Sequence, residues 1–388
     1  MNRVLFSLFL LCACARFAPA QEVTFRSSLS FLVDKVEIQK MTPSVSYPAF
    51  DLKLGWKLPS DADYYGPYGE PVGGFGISYL LPGTMQYDGD SRMGNGVSLY
   101  GFFTAPIVRS GAFSLEYTLE LGGAYLKDPY HPVRNPLNLS YGNSLEYYLG
   151  AGVGAMFRLG NHLSLGAEAS FRHYSSGCWH IPNRGLTSIA PGVNVKYTFS
   201  ESTRDARRYV IEDGIPEKTF RWGVSVGAGG HQIDGERKMY RALYRNPEDR
   251  PATFQRYLKG NLGLEFFWRY SRFFATGLGG ELLYMSEAKA LGPVDEVLYP
   301  DSDETYSPLA GGVILLQEIY YRRFAVHGGI GVYLGRHMGR EADSGPLYQK
   351  LGLRYYVPQL DGAFVGFSVR LNRFVQSDYM EFTLGKHF

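Results

Sequence analysis

The stretch Leu163–Gly185 reads LSLGAEASFRHYSSGCWHIPNRG. Its first half alternates: Leu163, Leu165, Ala167, Ala169 and Phe171 are apolar, while Ser164, Gly166, Glu168, Ser170 and Arg172 are small or polar. A period of two makes a strand with one apolar and one wet face. Two more steps along the apolar face land on His173 and then Ser175, about 7 Å apart at Cα. A base and a hydroxyl thus end the oily row, where neither finds cheap hydrogen-bond partners. Either the strand leaves a membrane here and reaches its aqueous end, or the pair is placed for chemistry.

Composition points to the same architecture. The 388 residues include 30 Tyr and 25 Phe against 4 Trp, and 47 Gly, a glycine share well above the usual ~7%. Excess Tyr, Phe and Gly without a long apolar run suits outward aromatics and tight turns. The net charge of +2 and the lack of a basic cluster with interleaved aromatics exclude nucleic acid as a partner. Residues 1–20 read as a signal peptide: Arg3, the apolar Val4–Leu11, then Ala18-Pro19-Ala20 before Gln21. Leu11-Cys12-Ala13-Cys14 offers a rival lipoprotein-type route. After cleavage at Ala20 only Cys178 remains, which leaves no intramolecular disulfide. Beyond the leader nothing supplies the ~20 apolar residues of a spanning helix, so membrane entry requires a closed barrel.

Alternation recurs along the chain. Phe113–Leu121 is apolar at every odd position, Tyr147–Leu159 places Gly150, Gly152 and Gly154 on the inner side, and Val193, Val195, Tyr197 and Phe199 continue it. A charged stretch, 201–217, interrupts, and strands resume from Phe220 to the final Met380, Phe382, Leu384 and Phe388. The expectation is an all-β, transmembrane, antiparallel up-and-down β-barrel of about 14–16 strands, an even number being usual. It would occupy residues 21–388, with residues 218–388 adding strands to the cylinder begun by 21–200. Two eight-stranded barrels in tandem, linked by 201–217, is the alternative. Asp295, Glu296, Asp301, Asp303 and Glu304 read as a solvated outer loop, with a divalent-cation site as its rival.

His173-Tyr174-Ser175-Ser176-Gly177 followed by Pro182-Asn183-Arg184-Gly185 resembles the signature of the PagL-type lipid A deacylases and of the larger acyloxyacyl hydrolases. Asn95–Phe103 and the segments Ala124-Tyr125-Leu126 and Pro129–Pro136 resemble further stretches of that family, so the likeness covers about residues 70–200. A terminal Phe388 resembles the assembly signal of outer-membrane proteins. The resemblance implies a lipid A 3-O-deacylase-like ester hydrolase in the bacterial outer membrane. His173 and Ser175 would be catalytic, with Ser176, Gly177 and Asn183 serving the oxyanion or positioning. It implies no metal and no cofactor. Its partners would be lipid A or lipopolysaccharide and the membrane, with a homo-oligomer as a further one.

Two positions depart from the family pattern. Ser176 stands where Asn is usual, and Thr187 where the triad acid is expected. Glu168 lies on the wet face and points away from His173. Cys178 with His180 supplies two ligands, too few for a zinc site, and Arg336-His337 reads as a strand end. The rival from another class is a non-enzymatic barrel, a narrow pore or an adhesion protein with a degenerate site.

Overall fold

Period-two alternation recurs in sixteen antiparallel strands, which close into two barrels of eight. The computed structural model describes residues 21–33, 40, 42–58, 68–199, 219–342, 345–374 and 376–388. The expected signal segment and the charged stretch 201–217 lie outside the described residues. The first barrel comprises β1 (Glu22–Leu32), β2 (Ser46–Lys57), β3 (Val72–Leu80), β4 (Gly96–Ser110), β5 (Phe113–Leu126), β6 (Leu145–Leu159), β7 (Leu163–Ser175) and β8 (Leu186–Thr198). The second comprises β9 (Thr219–His231), β10 (Tyr257–Arg269), β11 (Phe274–Met285), β12 (Leu309–Tyr321), β13 (Phe324–Leu334), β14 (Leu347–Tyr356), β15 (Ala363–Asn372) and β16 (Gln376–His387).

The all-β, up-and-down architecture expected from the alternation is present, but the strands do not share one cylinder. β8 returns to β1, with Phe25 opposite Val195, and β16 returns to β9, with Leu384 opposite Val226. Alternation fixes which face a side chain takes. It does not say at which strand the ladder closes.

Both walls are apolar outside and charged inside. Phe75, Leu99, Leu145 and Val193 on the first barrel, and Phe220, Leu315 and Phe382 on the second, stand exposed, as lipid-facing residues do. In the first bore Arg26 Nε lies 2.9 Å from Asp51, whose carboxylate also takes Arg172 Nη2 at 2.6 Å. Arg26 also meets Glu168, and Lys53 Nζ lies 2.5 Å from Glu120. In the second, Arg354 clamps Glu265 at 2.6 Å and Glu318 at 2.8 Å, while Arg370 and Lys350 share Glu281. Such buried charges persist only when paired. They occupy the bores, and a void beside Glu168 and Lys196 measures only about 30 Å³.

At one end of each barrel most turns are tight, as at 111–112, 160–162 and 322–323, the β2–β3 connection over 58–71 being longer; most connections at the other end are long. Among the described residues, the long connections hold two α-helices of ten residues or more that the sequence pattern did not announce, α1 (Asp234–Leu243) and α2 (Ala288–Leu298). They pack on each other, and Ala288 and Leu291 join the cluster containing Met285 and Tyr257. The acidic stretch expected as a solvated loop is therefore partly helical. Asp295 is buried and accepts the backbone N–H groups of Arg340 at 2.7 Å and Glu341 at 2.9 Å, and the Tyr306 hydroxyl at 2.9 Å. Asp295 thus ties loops together, and among the described residues no three acidic, His or Cys side chains gather as a metal site.

Asp51→Ala would take a carboxylate from two buried guanidinium groups, Arg172 and Arg26, of which Arg26 keeps Glu168. We expect it to cost about 3–5 kcal/mol, read as an earlier midpoint in urea unfolding followed by heat-modifiable gel mobility.

Candidate active site

Pairing register brings the site together. Ser175 sits opposite Tyr147 and His173 opposite Leu149 on β6; on the other side His173 faces Thr187 of β8. The same-face geometry places Thr187 Oγ1 2.8 Å from His173 Nδ1. The position that departs from the family pattern is therefore the residue in contact with the imidazole. Phe171 stacks parallel to that ring, with centroids 6.4 Å apart. Gly185 borders its edge: a Cβ there would come within 2.5 Å of His173 Cε1, and φ is +76°. Both facts require glycine at the end of Pro182-Asn183-Arg184-Gly185.

The loop after β7 folds around Asn183. Its Oδ1 accepts the Ser175 hydroxyl at 3.1 Å, the Ser176 N–H at 2.9 Å and the Ser176 hydroxyl at 3.1 Å. A backbone N–H can only donate, which fixes the amide with its oxygen toward Ser176. The Gly177 N–H in turn donates to Ser175 Oγ at 3.1 Å. Gly177 has φ +60°, and a Cβ there would strike Met380 of β16. Ser175, Ser176, Gly177 and Asn183 are thus hydrogen-bonded in one loop and strand end; His173 lies two residues before Ser175 on the same face, and the Ser175 hydroxyl is turned to Asn183 rather than to the imidazole. Glu168 does not join them; it is committed to Arg26 and Asn194 in the bore.

Cys178 and His180 have other duties. Cys178 Sγ donates to Ser377 O of the second barrel at 3.0 Å, and burial pushes its thiol up to about 12. It stays protonated at neutral pH and is a poor nucleophile. His180 is held neutral by burial and by the adjacent Arg256, which donates to its Nε2 at 2.8 Å.

The two barrels stand side by side with long connections at the same end. At the tight-turn end Tyr68 packs against Phe103, Tyr321 and Phe273, and its hydroxyl donates to Tyr320 O at 2.7 Å. At the other end Gln232 N–H donates to Cys178 O at 2.8 Å, and Ile181 N–H to Gln232 Oε1 at 2.9 Å. Between these clamps lies a cavity of about 2480 Å³, lined by the outer walls of both barrels and by His173, Ser175 and Thr187. The pair ends the apolar outer row of β7, on the exterior of the first barrel; the second barrel faces that wall, and Ser175 is buried.

Closed barrels with apolar outer walls and charged interiors define an outer-membrane β-barrel protein. Residues 49–198 match the family model described as lipid A 3-O-deacylase (PagL), and residues 220–388 match that of the acyloxyacyl hydrolase C-terminal domain. The boundary between the two matches falls between the two barrels, and the chain belongs to the PagL-type family. Among solved structures, that of the outer membrane enzyme PagL is 18% identical with a TM-score of 0.29, covering 44% of this chain and 97% of its own. Variants of a Rhodopseudomonas blastica porin cover 95% of this chain and 99% of their own at 8% identity and a TM-score of 0.17. Superpositions this loose decide nothing about strand arrangement. No curated protein matches the chain.

Two outcomes follow from the loop. Asn183→Ala leaves a buried N–H unpaired, a loss of about 1–3 kcal/mol, and should speed proteolysis and amide exchange within 176–185. Cys178 in the folded protein should react with iodoacetamide at pH 8 at least about 100-fold more slowly than a free cysteine, and at the ordinary rate once unfolded.

Proposed function

We propose that the chain is a lipid A ester hydrolase of the outer membrane with Ser175 as nucleophile and His173 as general base. The observation that carries this reading is that His173 and Ser175 end one face of β7 and both line an apolar cavity between barrel walls, with His173 Nδ1 held by Thr187 Oγ1; the Ser175 hydroxyl, which donates to Asn183 Oδ1, turns to the imidazole when substrate binds. With the Nδ1 proton given to Thr187 Oγ1, Nε2 is bare and takes the Ser175 proton as Oγ attacks the ester carbonyl carbon. The carbonyl oxygen becomes an oxyanion, for which the Gly177 N–H, already directed at Oγ, is the nearest backbone donor. His173 then gives its proton to the departing sugar oxygen as the C–O bond breaks, leaving an acyl-serine. Water, deprotonated by His173, attacks that ester and restores Ser175. Ser176 and Asn183 are positioning residues: Asn183 Oδ1 fixes the turn that aims Gly177.

The family resemblance directs the cut to the 3-position acyl chain, and residues 1–20 to export through a cleaved leader. Thr187 favours a second reading, a barrel with a degenerate site, because threonine orients an imidazole without stabilising the charge it acquires.

Mass spectrometry of lipid A from cells with and without the protein decides between the two. Expression should remove one acyl chain, and Ser175→Ala should lower that activity about 10³-fold or more. Unchanged acylation on expression of the wild type would count for the degenerate site. Thr187→Glu, which restores a carboxylate beside Nδ1, should raise the rate by about tenfold or more, whereas Thr187→Val should lower it.

A further inference from the structure

The cavity between the barrels is unlike an ordinary ligand pocket. Its ~2480 Å³ exceeds the ~300–1,000 Å³ that encloses a drug-sized molecule. Its two long sides are apolar: Leu149 and Phe171 from the first barrel, Leu353, Phe367 and Val369 from the second. Tyr147, opposite Ser175 in register, touches Phe367 across the gap with ring centroids 5.3 Å apart.

Its depth follows from the ladder. Tyr147 pairs with Ser175, and six residues further down β6, Val153 pairs with Tyr117. Tyr117 packs on Phe103, which with Tyr68 and Tyr321 makes the aromatic floor. Six residues of strand measure ~20 Å; at the ~45° tilt of a membrane strand they descend ~14 Å, about half of a ~30 Å hydrocarbon core. The cavity therefore runs at least ~14 Å down the outer wall from Ser175 toward the tight-turn end.

We infer that this groove holds the acyl chains of a multiply acylated lipid, the second barrel forming the wall that selects which chain lies under Ser175. The inference rests on the proposed esterase reading for its substrate class. The occupant is lipid because both walls are apolar, and it is the substrate because Ser175 itself lines the groove. A single fatty chain would leave most of the volume empty, so several chains are required. The second barrel is then a specificity element rather than a passive neighbour.

The test uses the full chain. Ser175→Ala protein isolated from lipid A-containing outer membranes is examined by native mass spectrometry for bound lipid, alone and combined with Leu353→Trp or Val369→Trp, which put an indole in the groove. Leu278→Trp puts one on the second barrel's outer wall away from it. In parallel, the serine-containing forms are assayed for the ratio of lipid A cleavage to short-chain nitrophenyl ester cleavage. Bound lipid A should be lost about tenfold or more in both groove variants and retained in Leu278→Trp, and the cleavage ratio should fall in step. Undiminished bound lipid A in both groove variants overturns the inference, as does recovery of phospholipid alone from the parent. If the wild type cleaves neither ester while the bound-lipid pattern holds, the esterase reading fails and the groove stands.

Discussion

In hydrocarbon every backbone N–H and C=O must find its partner within the protein, and a sheet achieves this only by closing on itself. That constraint governs everything else in this chain. It closes the ladder twice, at β1–β8 and at β9–β16, and it inverts the usual sorting of side chains. Apolar residues face out, so Arg26, Asp51, Arg172, Glu120 and Lys53 share one bore and Arg354, Glu265, Glu318 and Glu281 the other. Charges packed this tightly must neutralise one another, and the candidate site lies outside the bores, on the outer wall and the loop rim.

The outer wall was legible in the sequence because a period of two is a local property. Leu163 to Phe171, Phe113 to Leu121 and the terminal Phe382 and Leu384 show their lipid face without any knowledge of neighbours. Closure was not legible in the same way. Whether β8 meets β1 or β9 depends on Phe25 pairing with Val195 across the whole first half, and no period records that. The helices escaped notice for a different reason. α2 contains Gly292 and Pro293, and α1 is short and mostly polar, so neither carries an apolar stripe long enough to stand out against the loops around it.

The site divides along the same line. His173, Ser175, Gly177 and Asn183 were readable from one short segment, since the strand and its following turn are contiguous. Thr187 was readable only as a missing carboxylate; antiparallel register converts it into the partner of Nδ1. The second wall was beyond reach, because Tyr147 and Phe367, or Tyr68 and Tyr321, are joined by nothing that a sequence displays.

For the proposed hydrolase, that second wall changes the physical problem at Ser175. On a lone barrel, a lipid passing the serine is free to rotate and slide, and most encounters place the wrong carbonyl near Oγ. Two walls clamped at both ends, by Tyr68 below and by the Cys178–Ser377 and Ile181–Gln232 contacts above, remove much of that freedom before reaction, a gain of orientation rather than of reactivity. The same clamp holds the oxyanion side, since Gly177 packs against Met380 while its N–H reaches Ser175. In that reading a neutral threonine beside the imidazole sacrifices charge stabilisation at the base, and what the two-barrel arrangement would supply instead is a fixed donor and a fixed substrate, which are the terms that survive when a triad member is absent.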